Sequence, residues 1–222
     1  MNKLFTTLAA LVISSATAAS LAQDIKGDAK AGLVKNAMCI GCHGIKGYQA
    51  SFPEVYKVPM ISGQNASYIS AALNAYKKGD RKHPTMRGVA ETLTDQDIAD
   101  LAAYYSGHGL VAGAELPAKP AKEASAGVQA LLNKANCASC HGANFSKPID
   151  PSYPKLAGQH ADYLYVALKA YKTDSSNAKV GRAHPIMSGM AKLYTNAELK
   201  AMSEYLASVQ GDVKVVSESR FR

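Results

Sequence analysis

A five-residue pattern that occurs twice constrains this chain more than any other feature. Two cysteines, separated by two residues and followed at once by histidine, occur at residues 39–43 and again at residues 137–141. Further segments match in the same order: residues 59–64 with 154–159, residues 75–77 with 170–172, and residues 83–86 with 184–187. The 222-residue chain is therefore a tandem duplication of a unit of roughly 90 residues, the size of a small domain.

The stretch between the two copies, residues 107–124, is dense in glycine, alanine and proline. Such a composition predicts a connecting segment rather than a helix or strand. We therefore expect an N-terminal domain at residues 23–106, a linker at 107–124 and a C-terminal domain at 125–222.

Apolar residues recur at three- and four-residue steps in both copies, which indicates helices. The second helix of the first copy is predicted to follow Gln64 and to end at Gly79. Gly32 is predicted to give Tyr104 a flat helix face to pack on. Neither copy shows the alternation that is typical of strands, so the predicted fold class is all-α.

Four polar residues mark where other helices should begin. Asp28 and Ser125 are predicted to cap the first helices, which run up to the cysteine motifs. Thr94 and Thr195 each precede an acidic residue by three positions, which predicts capping boxes for the last helices. The residues predicted to close these last helices are Gly107 and Gly211.

The N-terminus has the layout of a secretory signal peptide. Lys3 precedes a mostly apolar stretch at residues 4–13, and Ser20 and Ala22 are small residues at the two positions that determine cleavage. An apolar stretch of about ten residues is too short to span a bilayer, which needs about twenty. We expect residues 1–22 to be removed and the mature protein to be exported to the periplasm.

The histidine directly after each cysteine pair indicates covalent attachment of haem c. Two thiols one helical turn apart can form thioether bonds to one haem, and the next residue then directs its imidazole at the iron. The predicted attachment residues are Cys39, Cys42, Cys137 and Cys140, with His43 and His141 as iron ligands. A zinc site would need both pairs together and would leave these histidines unexplained, and a thioredoxin-like motif would need a βαβ unit.

Met86 and Met187 are the predicted sixth ligands of the two irons. They occupy matching positions, 43 and 46 residues after the haem histidines, in stretches predicted to be non-helical loops. Pairing methionine with histidine raises the reduction potential of haem iron. His83 and His184 are the alternative ligands, which would lower the potential; otherwise they contact a haem propionate or lie at the surface.

Pro59 and Pro154 open matched turns before the second helix of each copy. The carbonyl of each proline is predicted to accept a hydrogen bond from Nδ1–H of the haem histidine, which would fix the imidazole ring. A tight turn that begins the second helix is the simpler interpretation, and both can hold.

With its two haem motifs, its Pro-x-Leu-x-Gly-Gln turns and the Asp-rich final helix at residues 93–105, the chain resembles the cytochrome c4 family. The resemblance implies two class I cytochrome c domains, each around one haem, related by a pseudo-twofold axis with propionates at the interface. It also implies His/Met ligation and electron transfer from a quinol-oxidising complex or dehydrogenase towards a terminal oxidase. The tail at residues 210–222 departs from the family pattern.

We expect an electron carrier rather than an enzyme. Two alternatives stay open: a permanent cytochrome subunit of a dehydrogenase, such as a sulfide-oxidising flavoprotein, and a haem enzyme with a labile sixth ligand.

Charge is unevenly spread over the mature chain. Residues 23–116 hold 10 basic and 9 acidic side chains, a net of +1, whereas residues 117–222 hold 14 and 8, a net of +6. An exported protein meets little nucleic acid, so the basic surplus favours redox partners with acidic docking faces; peripheral membrane association is also open. Scattered lysines that keep the protein soluble are an equally good explanation.

Overall fold

The structure, a computed structural model, describes residues 25–173 and 176–218, so the predicted signal peptide lies outside the described residues. The first copy forms helices α1 (Ala29–Lys35), α2 (Ala37–His43), α3 (Ala66–Lys78), α4 (Pro84–Glu91) and α5 (Asp95–Gly107). The second copy forms α6 (Ala126–Lys134), α7 (Cys137–His141), α8 (Ala161–Ala170), α9 (Pro185–Lys192) and α10 (Asn196–Ser208). No helix among the described residues is long and apolar enough to cross a membrane.

Short strands add little to this helical fold. Strands β1 (Gln49–Ala50) and β2 (Tyr56–Lys57) form an antiparallel hairpin within the first copy. Strands β3 (Arg81–Lys82) and β4 (Gly181–Arg182) pair antiparallel across the two copies, with Arg81 opposite Arg182. The all-α fold class is confirmed, and the β3–β4 pair joins the domains.

The predicted helix starts are confirmed at all four capping residues. The side chain of Asp28 accepts a hydrogen bond from the backbone of α1, and Ser125 does the same for α6. Thr94 and Thr195 each form a complete capping box with the acidic residue three positions on. Each box satisfies two backbone groups that would otherwise lack partners at the helix start.

Two predictions about helix continuity were wrong. Neither first helix runs unbroken into its cysteine motif. The helix α1 stops at Lys35 and α2 begins after Asn36, while α6 stops at Lys134 and α7 begins at Cys137. Gly211 does not close α10, which ends at Ser208. Gly211 instead packs against the backbone of Ala157 so closely that a Cβ atom would strike the Ala157 carbonyl oxygen.

Each domain has its own hydrophobic core. The N-terminal core contains Ile69, Leu101, Ala102 and Tyr105. The C-terminal core contains Leu132, Phe145, Ala157, Leu164, Tyr194, Leu199, Met202, Leu206 and Val209. In the first domain α1 lies against α5. Gly32 allows this close approach, because a Cβ atom there would lie only 2.6 Å from Cβ of Tyr104. The predicted packing of Tyr104 on Gly32 is confirmed.

Candidate haem site

The two cysteine motifs line one continuous cavity of about 820 Å³ that extends from one domain into the other. All eight residues predicted from the sequence to bind the cofactor or its iron line it: Cys39, Cys42, His43, Met86, Cys137, Cys140, His141 and Met187. The remaining walls are largely apolar, with side chains from α3, α5, α8 and α10. A cavity of this size suits a large, mainly apolar ligand with a few polar contacts.

The histidine of each motif is held by the proline turn of its own domain. His43 Nδ1 lies 2.7 Å from the carbonyl oxygen of Pro59, and His141 Nδ1 lies 3.1 Å from that of Pro154. A carbonyl can only accept, so Nδ1 carries the proton and Nε2 keeps its lone pair. Burial lowers the pKa of both imidazoles, which keeps them neutral and able to bind a metal. The predicted hydrogen bonds are confirmed.

The cysteines of each pair lie one helical turn apart on α2 or α7, so both thiols face the same side. None of the four forms a disulfide. Burial raises the pKa of Cys39 to about 11 and also raises the pKa of Cys137, so neither thiol is poised as a thiolate nucleophile. This environment suits thiols that become neutral thioethers.

Met86 and Met187 do not lie in loops, as the sequence had suggested, but in the first turns of α4 and α9. The proline before each of them occupies a first-turn position, where it needs no hydrogen-bond donor. The preceding histidine is the N-cap residue of the helix. The His-Pro-x-Met pattern is therefore a helix start, a signal that sequence reasoning missed.

The alternative ligands His83 and His184 are occupied as helix caps. Nδ1 of each accepts a hydrogen bond of 3.3 Å from the backbone N–H of Met86 or Met187. Burial, followed by the nearby guanidiniums of Arg81 and Arg182, lowers the pKa of His83. This role favours the methionines over the histidines as iron ligands.

The two domains recognise each other through reciprocal glutamines. Gln159 accepts from the backbone N–H of Met60 at 2.9 Å and donates to its carbonyl at 2.8 Å. Gln64 makes the same pair of contacts with Lys155, at 2.9 and 3.0 Å. Both glutamines are buried, and their exchange between domains is the arrangement expected of a pseudo-twofold axis.

Arg81 and Arg182 bring two positive charges to the cavity at this interface. Arg81 is buried, and its Nε has no hydrogen-bond partner. Within the described part of the chain, no carboxylate forms a salt bridge with either guanidinium. Both donate to the hydroxyl of Tyr163, at 2.7 and 3.2 Å.

Arg81 is buried and Arg182 is half-buried, and positive charges shielded from water without an anion are costly. The two guanidiniums therefore indicate an anionic ligand in the cavity. Haem carries two propionates, and arginine is well suited to bind carboxylates. The residues therefore fit haem on three counts: paired thiols, neutral histidines and arginines that face the same cavity. Sequence reasoning missed both arginines, although each lies two residues before His83 or His184.

Tyr163 has an unusual environment between the two arginines. Burial alone would raise the pKa of its hydroxyl, but Arg81 and Arg182 lower it to about 7. The Tyr163 hydroxyl accepts hydrogen bonds from both guanidiniums, but a carboxylate would bind them more strongly.

The family model for cytochrome c matches residues 30–107 and 125–210. Cytochrome c4 of Stutzerimonas stutzeri is 31% identical over 191 residues, covering 81% of this chain and 88% of that protein. This chain belongs to the cytochrome c4 family. It therefore carries two covalently bound haem c groups, one in each domain, and functions in electron transfer.

Other proteins related to this cytochrome agree with that assignment. The crystal structure of reduced recombinant cytochrome c4 from Pseudomonas stutzeri matches with a TM-score of 0.58 and 27% identity, covering 83% of this chain and all of that one (100%). A protein of Stutzerimonas stutzeri strain A1501 named as a thiosulfate dehydrogenase electron acceptor is 28% identical over 212 residues. That match covers 91% of this chain and 92% of the relative.

Proposed function

We propose that this cytochrome is a periplasmic electron carrier whose two irons are bound by His43 with Met86 and by His141 with Met187. Cys39, Cys42, Cys137 and Cys140 would hold the haems as thioethers. The observation that carries the proposal is that all eight side chains line one cavity, with each histidine fixed by a proline carbonyl. Haem supplies one-electron chemistry when bound, and the chain supplies a largely apolar cavity whose histidines are held in place.

Rigidity follows from the way each ligand is held. The proline carbonyls orient the two histidines, and the caps at His83 and His184 fix the backbone at the methionines. Electron transfer is favoured by a ligand set that moves little, because rearrangement adds to the barrier. The interface arginines would neutralise haem propionates and keep the two cofactors close.

The proposal includes export and a position in a respiratory chain. Residues 1–22 would be removed, leaving domains at residues 23–106 and 125–222 joined by the linker. Electrons would come from a quinol-oxidising complex or a dehydrogenase and pass towards a terminal oxidase. The basic surplus of the C-terminal half makes that half the proposed docking face for an acidic partner.

Carbon monoxide binding to the dithionite-reduced protein tests the ligand assignment. Two protein ligands on each iron leave no open position, so the visible spectrum should not change when carbon monoxide is added. A spectral shift equivalent to one haem would contradict the proposal and favour an enzyme with a labile sixth ligand.

A dehydrogenase that oxidises an inorganic sulfur compound is the second candidate donor. The related thiosulfate dehydrogenase electron acceptor aligns over nearly the whole of both chains, which supports this choice. Stopped-flow mixing of the oxidised cytochrome with thiosulfate dehydrogenase and thiosulfate should give rapid haem reduction that slows as salt is added. Faster reduction by a quinol-oxidising complex would favour the respiratory donor instead.

A further inference from the structure

The last residues that the structure describes contact the N-terminal domain. After α10, residues 211–218 cross to the N-terminal domain, and we call this segment the C-terminal strap. Lys214 donates its backbone N–H to the carbonyl of Ser62 at 3.0 Å, which forms an antiparallel bridge. The contact is close: a Cβ atom on Gly63 would strike the carbonyl oxygen of Asp212.

The strap ends in a buried polar cluster of the N-terminal domain. The carboxylate of Glu218 accepts a hydrogen bond of 2.7 Å from Asn36 Nδ2 and another from the hydroxyl of Tyr104. His108 Nε2 lies 3.9 Å from the same oxygen. The side chain of Glu218 is 13% exposed and Asn36 is completely buried, so this carboxylate is well shielded from water.

These contacts fall at the two ends of α2, the helix with the first cysteine motif. Asn36 is its N-cap residue, and the Asn36 carbonyl accepts from the backbone N–H of Cys39 at 2.9 Å. Gly44 is its C-cap residue and directly follows His43; its carbonyl accepts from the Ser217 hydroxyl at 2.7 Å. The strap therefore braces both ends of α2.

The second domain differs at the corresponding point. Lys134 stands three residues before Cys137, as Asn36 stands three residues before Cys39. Its side chain is exposed and donates to the carbonyl of Leu193 rather than binding a carboxylate. Among the described residues, the brace that ends in a shielded carboxylate thus belongs to the N-terminal haem site.

We propose that Glu218, anchored through Asn36, is a positioning residue that lowers the reduction potential of the N-terminal haem relative to the C-terminal haem. A shielded negative charge stabilises the more positive oxidised iron, and the effect persists where water is excluded. The strap also fixes the helix from which Cys39 and His43 hold the cofactor. This inference rests on the proposed attachment of haem at Cys39, Cys42 and His43.

The test is a spectroelectrochemical titration of the full-length, haem-loaded protein. The N-terminal wave is first identified with Met86→His, which should lower its potential. Glu218→Gln removes the charge but keeps an acceptor for Asn36, and should raise the equilibrium constant for reducing the N-terminal haem by about tenfold. The C-terminal wave should stay in place. The matched control is Glu204→Gln, which removes an exposed carboxylate from α10 and should shift neither wave.

Several outcomes would overturn the inference. An unmoved N-terminal wave in Glu218→Gln, or equal shifts of both waves, would show that the carboxylate does not act on one haem. Glu218→Asp keeps the charge and should keep the wild-type potentials, so a tenfold shift there would contradict the role of the charge. Failure of the underlying haem assignment would be distinguishable, because the pyridine haemochrome of the wild type would then give fewer than two haems per chain.

Discussion

Among the described residues, neither Arg81 nor Arg182 forms a salt bridge with a carboxylate. We predict that Arg182→Gln lowers the summed reduction potential of the two haems, because a nearby positive charge favours the reduced iron. A redox titration gives the sum of the two midpoint potentials, so neither redox wave has to be assigned to a particular haem. Arg87→Gln is the control, since Arg87 is exposed and already paired with Glu91. A shift as large in the control would show that overall charge, rather than the interface position, sets the potential.

Asp100 gives a prediction about acid stability. A hydrogen bond from the Lys35 ammonium, at 2.6 Å, is the main cause that lowers the pKa of this carboxyl, and Lys35 likewise lowers the pKa of Asp97. A pKa below the unfolded value of 3.8 contributes stability that is complete above pH 3.8 and is lost as the pH falls further.

The urea midpoint of the wild type should therefore fall as the pH drops below about 4. Asp100→Asn should lower the urea midpoint at pH 7. It should also flatten the acid limb, which is the fall of the urea midpoint below about pH 4, because a neutral amide does not titrate. An acid limb of unchanged steepness in Asp100→Asn would show that other carboxyls dominate acid unfolding.

At the scale of helices, the contact between α1 and α5 depends on Gly32 having no side chain. Gly32→Ala should destabilise the N-terminal domain by about 1–3 kcal/mol, the usual cost of overpacking, because the new Cβ would meet Tyr104 and the Asp100 carbonyl. Gly127→Ala on α6 is the matched control: nothing lies within 4 Å of its Cβ position, so the better helix former should be neutral or stabilising. Thermal unfolding followed by circular dichroism measures both, and equal effects would refute the packing argument.

Sequence patterns predicted these elements where local chemistry decides them. The capping residues Asp28, Thr94 and Thr195 were found because a cap satisfies backbone groups only a few residues away. The hydrogen bond between Asn36 and Glu218 could not be found in this way, because the two residues lie 182 positions apart in the chain. The helices at Met86 and Met187 were missed because the proline before each was interpreted as a loop residue rather than as the first residue of a helix.

For the whole molecule as well, the sequence predicted features that local patterns decide and missed contacts between residues that are distant in sequence. The four cysteines and two histidines of the candidate site could be named from the repeated attachment motif, because covalent haem attachment needs a fixed spacing, and Met86 and Met187 from a second repeated segment. The contacts between the domains could not be named, because Gln64 and Gln159 bind backbone groups of the opposite domain, 91 and 99 residues away. A side chain that recognises a main chain leaves no complementary residue type in the sequence.

The cofactor should be part of the core of this molecule as well as its functional group. Without haem, the largely apolar walls of this cavity of about 820 Å³ would be exposed to water instead of packing against the cofactor. Since whole domains are usually stable by only about 5–15 kcal/mol, we expect the loss of this burial to unfold both small domains. We predict that the chain produced without haem attachment loses most of its helical circular dichroism and unfolds without a cooperative thermal transition. The haem-loaded protein is the control, and a cooperative transition in the haem-free chain would show that the two small apolar cores suffice.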